Sequence, residues 1–273
     1  MLKGFSTPLS PTGRTSLAPM PPWHFVSDFM AVEYWADPAA VAALLPPGLS
    51  PGEDPGRCTV FFSDNQYVSD SGAERADPAV SQYMEAFVAI SATWEGKPAA
   101  ACPFIFVDND NSMMRGQIQG MPKQMGVVRM TRSFSLPSKA APQEGPGGFY
   151  AATLAHRDRR LIEATLTLEE ETEEAPNRML ARMINMRVFP NLQAGRHDQP
   201  AVHELVRQKA RDVARSTVWR GKATLNIFDS PWHELSTLKP VKIGHGYRYT
   251  FAMTVDDLIP VQDLRAARAE GGA

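Results

Sequence analysis

The sequence predicts a mainly antiparallel β protein of the α+β class, a partly closed sheet with a few helices outside it. Strand-like runs follow one another from residue 23 to near the C-terminus, separated by Gly, Pro, Asn and Asp. They do not alternate regularly with helical segments, which argues against a doubly wound sheet or a TIM barrel. A single stretch, "ADPAAVAALLPPGL", carries clear helix start and stop signals.

In order, residues 1–22 are rich in Pro, Ser and Thr and predict an extended N-terminal arm. "FVSDFMAVEYW" is the first strand, aromatic and β-branched in composition. In the helix that follows, Asp37 suits the N-cap, Pro38 the first turn, and Pro46-Pro47 the stop. "RCTVFF", "YMEAFVAISATW", "AAACPFIFVD", "GVVRMTRSFSL", "GFYAATLAH" and "LIEATLTLEEE" then read as strands, with "EGK" as a hairpin turn. "APNRMLARMINMRVFPN" mixes periods and has no assigned type. "HELVRQKARDVARSTVWRGKATLNIF" supplies one or two strands and "YRYTFAMTV" another. No repeat of 20 to 50 residues is present. The expected organisation is the arm, one domain over 23–260, and a tail over 261–273.

At 273 residues and 43% apolar, the chain can build one large core and is not disordered. A net charge of −2 leaves no basic face for a polyanion, so nucleic acid is not an expected partner. Cys58 and Cys102 lie in no CxxC pair and read as buried thiols. The N-terminus has no apolar h-region and no window reaches 18 uninterrupted apolar residues; a cytoplasmic protein without a membrane partner is expected. The run "RDRRLIEATLTLEEETEE" reads as a solvated strand edge.

Metal and cofactor signatures are missing. Six scattered histidines form no HExxH and no tight cluster, so no metal is assigned. GxGxxG, GxxxxGK[ST] and GxSxG are absent, and "DNDN" at 108–111 reads as a turn. One residue invites chemistry. Lys123 follows Pro122 in "RGQIQGMPKQMGVVRM", with no other charge between Arg115 and Arg129. Either it is a solvated turn lysine, or it is held out of water so that its amine attacks a carbonyl. At a pKa near 10.4 roughly one lysine in a few thousand is a free amine at neutral pH. Desolvation or a nearby cation raises that fraction. Met113, Met114, Ile118, Met121, Met125, Val127 and Val128 make the segment apolar, and Gln117, Gln119 and Gln124 add only neutral polarity.

"EYWADPAAVAALLPPGL", "YMEAF", "FVDND", "GMPKQMG", "FPNLQAG", "VHEL" and "WRGKATLNIFDSPWHELSTLKPV" together resemble the acetoacetate decarboxylase superfamily, in order and over roughly residues 20–255. The resemblance implies a closed, cone-like antiparallel β-barrel with flanking helices, a homo-oligomer, and no cofactor. It implies that Lys123 forms a Schiff base and that Glu85, beside Tyr83, is the family's acidic residue. Activation of such a lysine by burial or a neighbouring cation is likewise implied by the resemblance, not read from these residues.

Several charged positions of the decarboxylases are neutral in this sequence. The second lysine of the motif is Gln124, and a glutamate six residues before Lys123 is Gln117. The expected arginine falls near Ser27, with His24 the nearby cationic candidate. An acidic residue falls near Phe62 or Ser63, beside Asp64. That pattern resembles a branch of aldolase-dehydratases that join pyruvate to an aldehyde. Gln119 and Tyr83 match its catalytic positions. Its C-terminal tyrosine falls on Tyr247 or Tyr249, which share one strand face, so spacing does not choose. The site expected is therefore catalytic Lys123, Glu85, Gln119 and Tyr83, with Tyr249, Gln117 and Met121 binding substrate. The resemblance implies a lyase acting on pyruvate and an aldehyde. Decarboxylation of acetoacetate or another β-keto acid, and non-catalytic binding of an oxo acid, are the alternatives.

Overall fold

Thirteen strands join in one sheet in the computed structural model, which describes residues 1–136 and 138–265 without the side chains of 177–179. β1 (Trp23–Trp35) lies between β3 (Arg57–Ser69) and β13 (Lys242–Asp263), antiparallel to both. β4 (Gln82–Trp94) pairs with β3 and makes a hairpin with β5 (Lys97–Val107). Its turn is the expected "EGK", with Glu95 and Gly96 at φ 51° and 70°. Short helix α1 (Pro38–Ala43) follows β1, and α2 (Pro78–Ser81) precedes β4. Past β5, helix α3 (Asp110–Ile118) crosses to β6 (Lys123–Met125), which pairs with β5 in parallel. The other side of the sheet holds β12 (Val218–Ile227), β9 (Arg159–Thr172), β8 (Phe149–His156) and β7 (Val127–Met130). β2 (Ser50–Pro51) pairs with β4, while β10 (Asn185–Phe189) and β11 (Val202–Arg215) branch from the far half of β13.

The family resemblance implies a closed sheet, and here the ladder does not close. The end strands β6 and β7 do not pair with each other. They are successive in the chain, separated by Gly126, whose N–H donates to Val107 O at 2.8 Å. A Cβ at Gly126 would lie 3.1 Å from Phe106 Cβ, so the crossing is tight.

Both faces of the central strands are buried. One face sends Met30, Val32, Tyr34, Cys58, Val60, Phe62, Val88 and Ile90 into the main core with Leu154 and Leu166. Alternation places Phe29, Ala31, Phe61, Phe87, Ala89 and Ile105 on the other face, with Tyr247 and Tyr249 from β13. Both cysteines are free and buried. No helix among the described residues is long and apolar enough to cross a membrane.

Several local expectations need correction. "DNDN" is not a free turn: Asn109 caps α3, its side chain accepting from Ser112 N at 2.9 Å. "APNRMLARM" forms a 3-10 turn over Pro176–Arg182 before β10. The predicted strand through Leu136 ends at Met130. The arm is not extended, since Lys3 and Ser10 bridge it back on itself and Ala18 is buried. A tail beginning at 261 is too early: Gln262 and Asp263 still pair with Leu205 and Glu204, and residues 266–273 lie outside the described residues. The acidic end of β9 is paired across strands, Glu170 with Arg220 at 2.7 Å and Glu173 with Arg215 at 3.2 Å.

Phe62 is fully buried in the main core. Its replacement by alanine leaves a cavity, and we expect Phe62→Ala to cost about 3–5 kcal/mol in denaturant unfolding. A loss below about 1 kcal/mol would contradict this core assignment.

Candidate active site

The site is set by how α3 leads into β6. α3 ends at Ile118 with Gln119 as its C-cap, and Gly120 follows at a φ of +73°, the left-handed turn that glycine adopts without strain. Met121 N closes the turn on Gly116 O at 2.9 Å, and Pro122 follows, placing Lys123 opposite Ile105. Gly116 lies directly beneath that lysine. A Cβ there would overlap its side chain, 2.7 Å from Cε and closer still to Cδ and Cγ.

Lys123 is 9% exposed. Its Nζ lies 2.6 Å from Glu85 Oε2 and donates to Ser112 Oγ at 2.9 Å. The same nitrogen stands 5.4 Å from the centre of the Tyr83 ring. Arg115, one turn after Asn111 on α3, is 1% exposed and approaches that ring to 5.5 Å. Its guanidinium lies 3.3 Å over the Tyr67 ring and donates to Asn111 Oδ1, which also accepts from Tyr67 Oη at 2.7 Å. Burial pushes the Tyr67 phenol up to about 12 despite the opposing pull of Arg115, so it remains a donor at neutral pH. Arg115 Nη2 is buried and has no hydrogen-bond partner among the described residues.

Lys123, Glu85, Tyr83 and Arg115 line one cavity of about 530 Å³ between α3, the sheet face and β11. Of the residues expected from sequence, Lys123, Glu85, Tyr83, Gln119 and Met121 all line it. Gln119 Nε2 donates to Arg115 O at 3.0 Å, and its Oε1 accepts from Gln208 of β11.

Two expected substrate-binding residues do not line it. Gln117 lies two residues along the helix from both Arg115 and Gln119, and its amide donates to the backbone oxygen of Lys123 at 3.0 Å. It braces the lysine from behind. Tyr249 is buried and its ring stacks on Phe29, 5.5 Å between centres, while Phe29 faces the cavity. The Tyr249 hydroxyl has no hydrogen-bond partner among the described residues, and burial pushes its pKa up. Tyr247 shares the same cluster and does not line the cavity either.

Other charge expectations change as well. His24 lies on the opposite face of β1, bonded to Thr254 Oγ1 at 3.0 Å, and supplies no cation to the site. Asp64 also faces away, toward Arg132 at 3.3 Å. In the cavity, Ser27 Oγ donates to Asn65 Oδ1 at 2.6 Å, and Asn65 Nδ2 donates to Ser63 Oγ at 2.9 Å. The position of the expected arginine is thus held by Ser27. The position of the expected acidic residue, near Phe62 or Ser63, is neutral too, with Ser63 and Ser27 both bonded to the amide of Asn65. The second cation comes instead from Arg115, which the sequence reading does not single out. Its signal is the i, i+4, i+8 spacing of Asn111, Arg115 and Gln119, visible only once this segment is known to be helical. Among the described residues, no three His, Cys, Asp or Glu side chains are grouped to hold a metal ion.

Fold and site together define a class: an antiparallel β protein that encloses a lysine–carboxylate pair and a buried arginine. The chain belongs to the acetoacetate decarboxylase family, whose model matches residues 6–264, and it is an enzyme of the lyase class. It is 23% identical over 233 residues to the acetoacetate decarboxylase of Paraburkholderia phytofirmans, covering 83% of this chain and 82% of that one. Higher similarity is found to the enduracididine biosynthesis enzyme MppR, at 35% identity. A MppR structure complexed with the condensation product of pyruvate and imidazole 4-carboxaldehyde superposes with a TM-score of 0.90, covering 97% of this chain and 98% of that one. An acetoacetate decarboxylase-like enzyme from Sphingomonas wittichii RW1, 24% identical and with a TM-score of 0.85, shares the fold, over 96% of this chain and 100% of its own.

The contact between Gly116 and Lys123 is testable without a substrate. Alanine raises helix propensity by about 1 kcal/mol over glycine. The clash with the buried Lys123 stem outweighs that gain. We expect Gly116→Ala to lower the unfolding midpoint, as a displaced lysine leaves Glu85 buried without its partner. It should also change acetic anhydride labelling of Lys123, read by peptide mass, at least threefold. Unchanged labelling would mean that Lys123 does not rest on Gly116.

Proposed function

We propose that this protein condenses pyruvate with an aldehyde and removes water, through a Schiff base on Lys123. The observation that carries this reading is the buried lysine beside a proton acceptor, with an uncommitted arginine edge in the same cavity. Glu85 takes a proton from Nζ, and the free amine attacks the ketone carbon. Glu85 returns that proton to the departing hydroxyl, and loss of one water leaves an iminium and a carboxylate again free to act as base. Arg115 Nη2 receives the carboxylate of the oxo acid, a charge-assisted contact suited to a guanidinium. Glu85 then removes a methyl proton to give the enamine, whose terminal carbon bonds the aldehyde carbon.

Glu85 returns its proton to the new alkoxide. It then takes the second proton of the former methyl carbon as the hydroxyl leaves as water, protonated by Tyr83, the phenol lining the cavity. Tyr83 regains its proton from Glu85. Gln119, held by Arg115 and Gln208, orients the adduct. Hydrolysis frees the lysine. The balance is pyruvate plus R–CHO giving R–CH=CH–CO–COO⁻ plus one water. The likeness to MppR, whose structures hold pyruvate and a pyruvate–aldehyde condensation product, supports this choice. Gln117 and Tyr249 act on the walls of the site in this scheme.

A second reading is supported by the acetoacetate decarboxylases among the relatives. In it the same iminium accepts the electrons released with carbon dioxide. The neutral Ser27, Gln117 and Gln124 weigh against it, because they remove charges those enzymes carry.

Borohydride added with pyruvate should leave one reduced pyruvyl group on the Lys123 peptide, and none in Lys123→Ala. If pyruvate leaves no adduct and acetoacetate does, with carbon dioxide evolved, the decarboxylase reading replaces this one. An absence of adduct with both acids would leave a non-catalytic binder.

Two variants separate the roles. Arg115→Met removes a charged hydrogen bond of about 1.5–3 kcal/mol and should raise the pyruvate concentration needed for half-maximal trapping about 10- to 100-fold. Glu85→Gln should slow exchange of the pyruvate methyl protons into deuterium oxide by about 10²–10⁴, followed by proton NMR. Wild-type exchange in Glu85→Gln would remove Glu85 from the role of base.

A further inference from the structure

Lys123 Nζ has two polar partners among the described residues, and they meet it differently. Glu85 Oε2 lies 2.6 Å away but off the axis of a hydrogen bond, so that contact is one of charge. Ser112 Oγ, at 2.9 Å, accepts one of the Nζ hydrogens with proper hydrogen-bond geometry. Ser112 is fully buried, and its hydroxyl makes no other hydrogen bond among the described residues.

The chain holds this serine closely. It is the third residue of α3, where a capped helix often carries a glutamate or glutamine that reaches back to the cap. Serine is too short for that, and its side chain turns onto the lysine instead. Asn109 Oδ1 accepts from Ser112 N at 2.9 Å, while Asn109 Nδ2 donates to Ala79 O of α2, also at 2.9 Å. The cap therefore ties the first turn of α3 to α2. Arg115 stands three residues further on, on the same face of the helix.

Resting on the Schiff-base reading above, we propose that Ser112 is a positioning residue. It holds the one hydrogen of the iminium nitrogen and so leaves Glu85 free to act as the carbon base. Three hydrogens start on the ammonium. One passes to Glu85, one to the former carbonyl oxygen, and the third stays on the iminium nitrogen. Water carries away the first two with that oxygen.

The remaining N–H lies in the plane of the C=N bond, together with the methyl and carboxylate carbons. Pinning it to Ser112 fixes that plane, with Arg115 on the same helix face to meet the carboxylate. Without Ser112 the N–H has one acceptor left, Glu85. A carboxylate that holds this hydrogen is a weaker base toward the methyl group.

Ser112 accepts from the ammonium and from the iminium alike, so its removal changes their balance little. Two variants test this: Ser112→Ala, and Ser112→Cys, which keeps the side chain's shape with a weak acceptor. In both, the pyruvate concentration for half-maximal borohydride trapping on Lys123 should stay within threefold of wild type. Exchange of the pyruvate methyl protons into deuterium oxide should slow at least tenfold. Proton NMR follows it, with Lys123→Ala as the background. A serine needed only to fill space would leave the Ser112→Cys rate unchanged.

Wild-type exchange in either variant overturns the inference, as does a loss of trapping that matches the loss of exchange. Both results leave the Schiff base on Lys123 standing. If pyruvate forms no adduct on wild-type Lys123, the aldol reading falls and this role of Ser112 falls with it.

Discussion

The ion pair between Lys123 and Glu85 is the constraint around which this molecule is arranged. Two opposite charges 2.6 Å apart, both about nine-tenths buried, have each lost most of their hydration. Such a loss costs several kcal/mol per ion, and mutual attraction offsets it only with good geometry and further hydrogen bonds. The surroundings supply that geometry. Ser112 accepts the second ammonium hydrogen, Gln117 holds the lysine backbone, and Gly116 leaves the volume that the lysine stem occupies. Each comes from α3, so the helix is best understood as the lysine's cradle.

The sheet solves the complementary problem of placing a carboxylate in that cradle. β4 carries Glu85 with Ser63 of β3 on one side and Val107 of β5 on the other, and β6 joins β5 in parallel so that Lys123 arrives beside them. Because side chains alternate, the same strands that build the main core also build the cavity wall. Phe62 and Val88 face one side, Phe61 and Phe87 the other. A strand slipped by one residue would move Glu85 into the main core, so the core's demand for apolar neighbours also enforces the register of the site.

Much of the site is legible in the amino-acid sequence. Lys123 stands out through the absence of neighbouring charge and through its motif, and the motif order points to Glu85, Tyr83 and Gln119. Arg115 does not stand out, because "NSMMRGQIQ" has no clean apolar stripe and contains a glycine, so its helix leaves little periodic trace. Without that helix the side chain has no direction, and no second cation can be assigned to the site. Tyr249 and Gln117 are misplaced for a related reason. Position in a motif marks closeness to the site, but Phe29 covers the tyrosine and helix rotation turns the glutamine to the strand side.

Local alternation, turn chemistry and short motifs are enough to specify the β class, most strands, the family and the lysine of the candidate site. They also specify that neutral residues stand near Ser27 and near Phe62 or Ser63, where the resemblance expects charges. Three further facts come from the folded chain: Ser27 meets Asn65, Arg115 enters the cavity, and Ser112 meets Lys123. These depend on which strands become neighbours and on how a helix is rotated over them. Both are set by long-range packing, which no local stretch of the chain encodes alone.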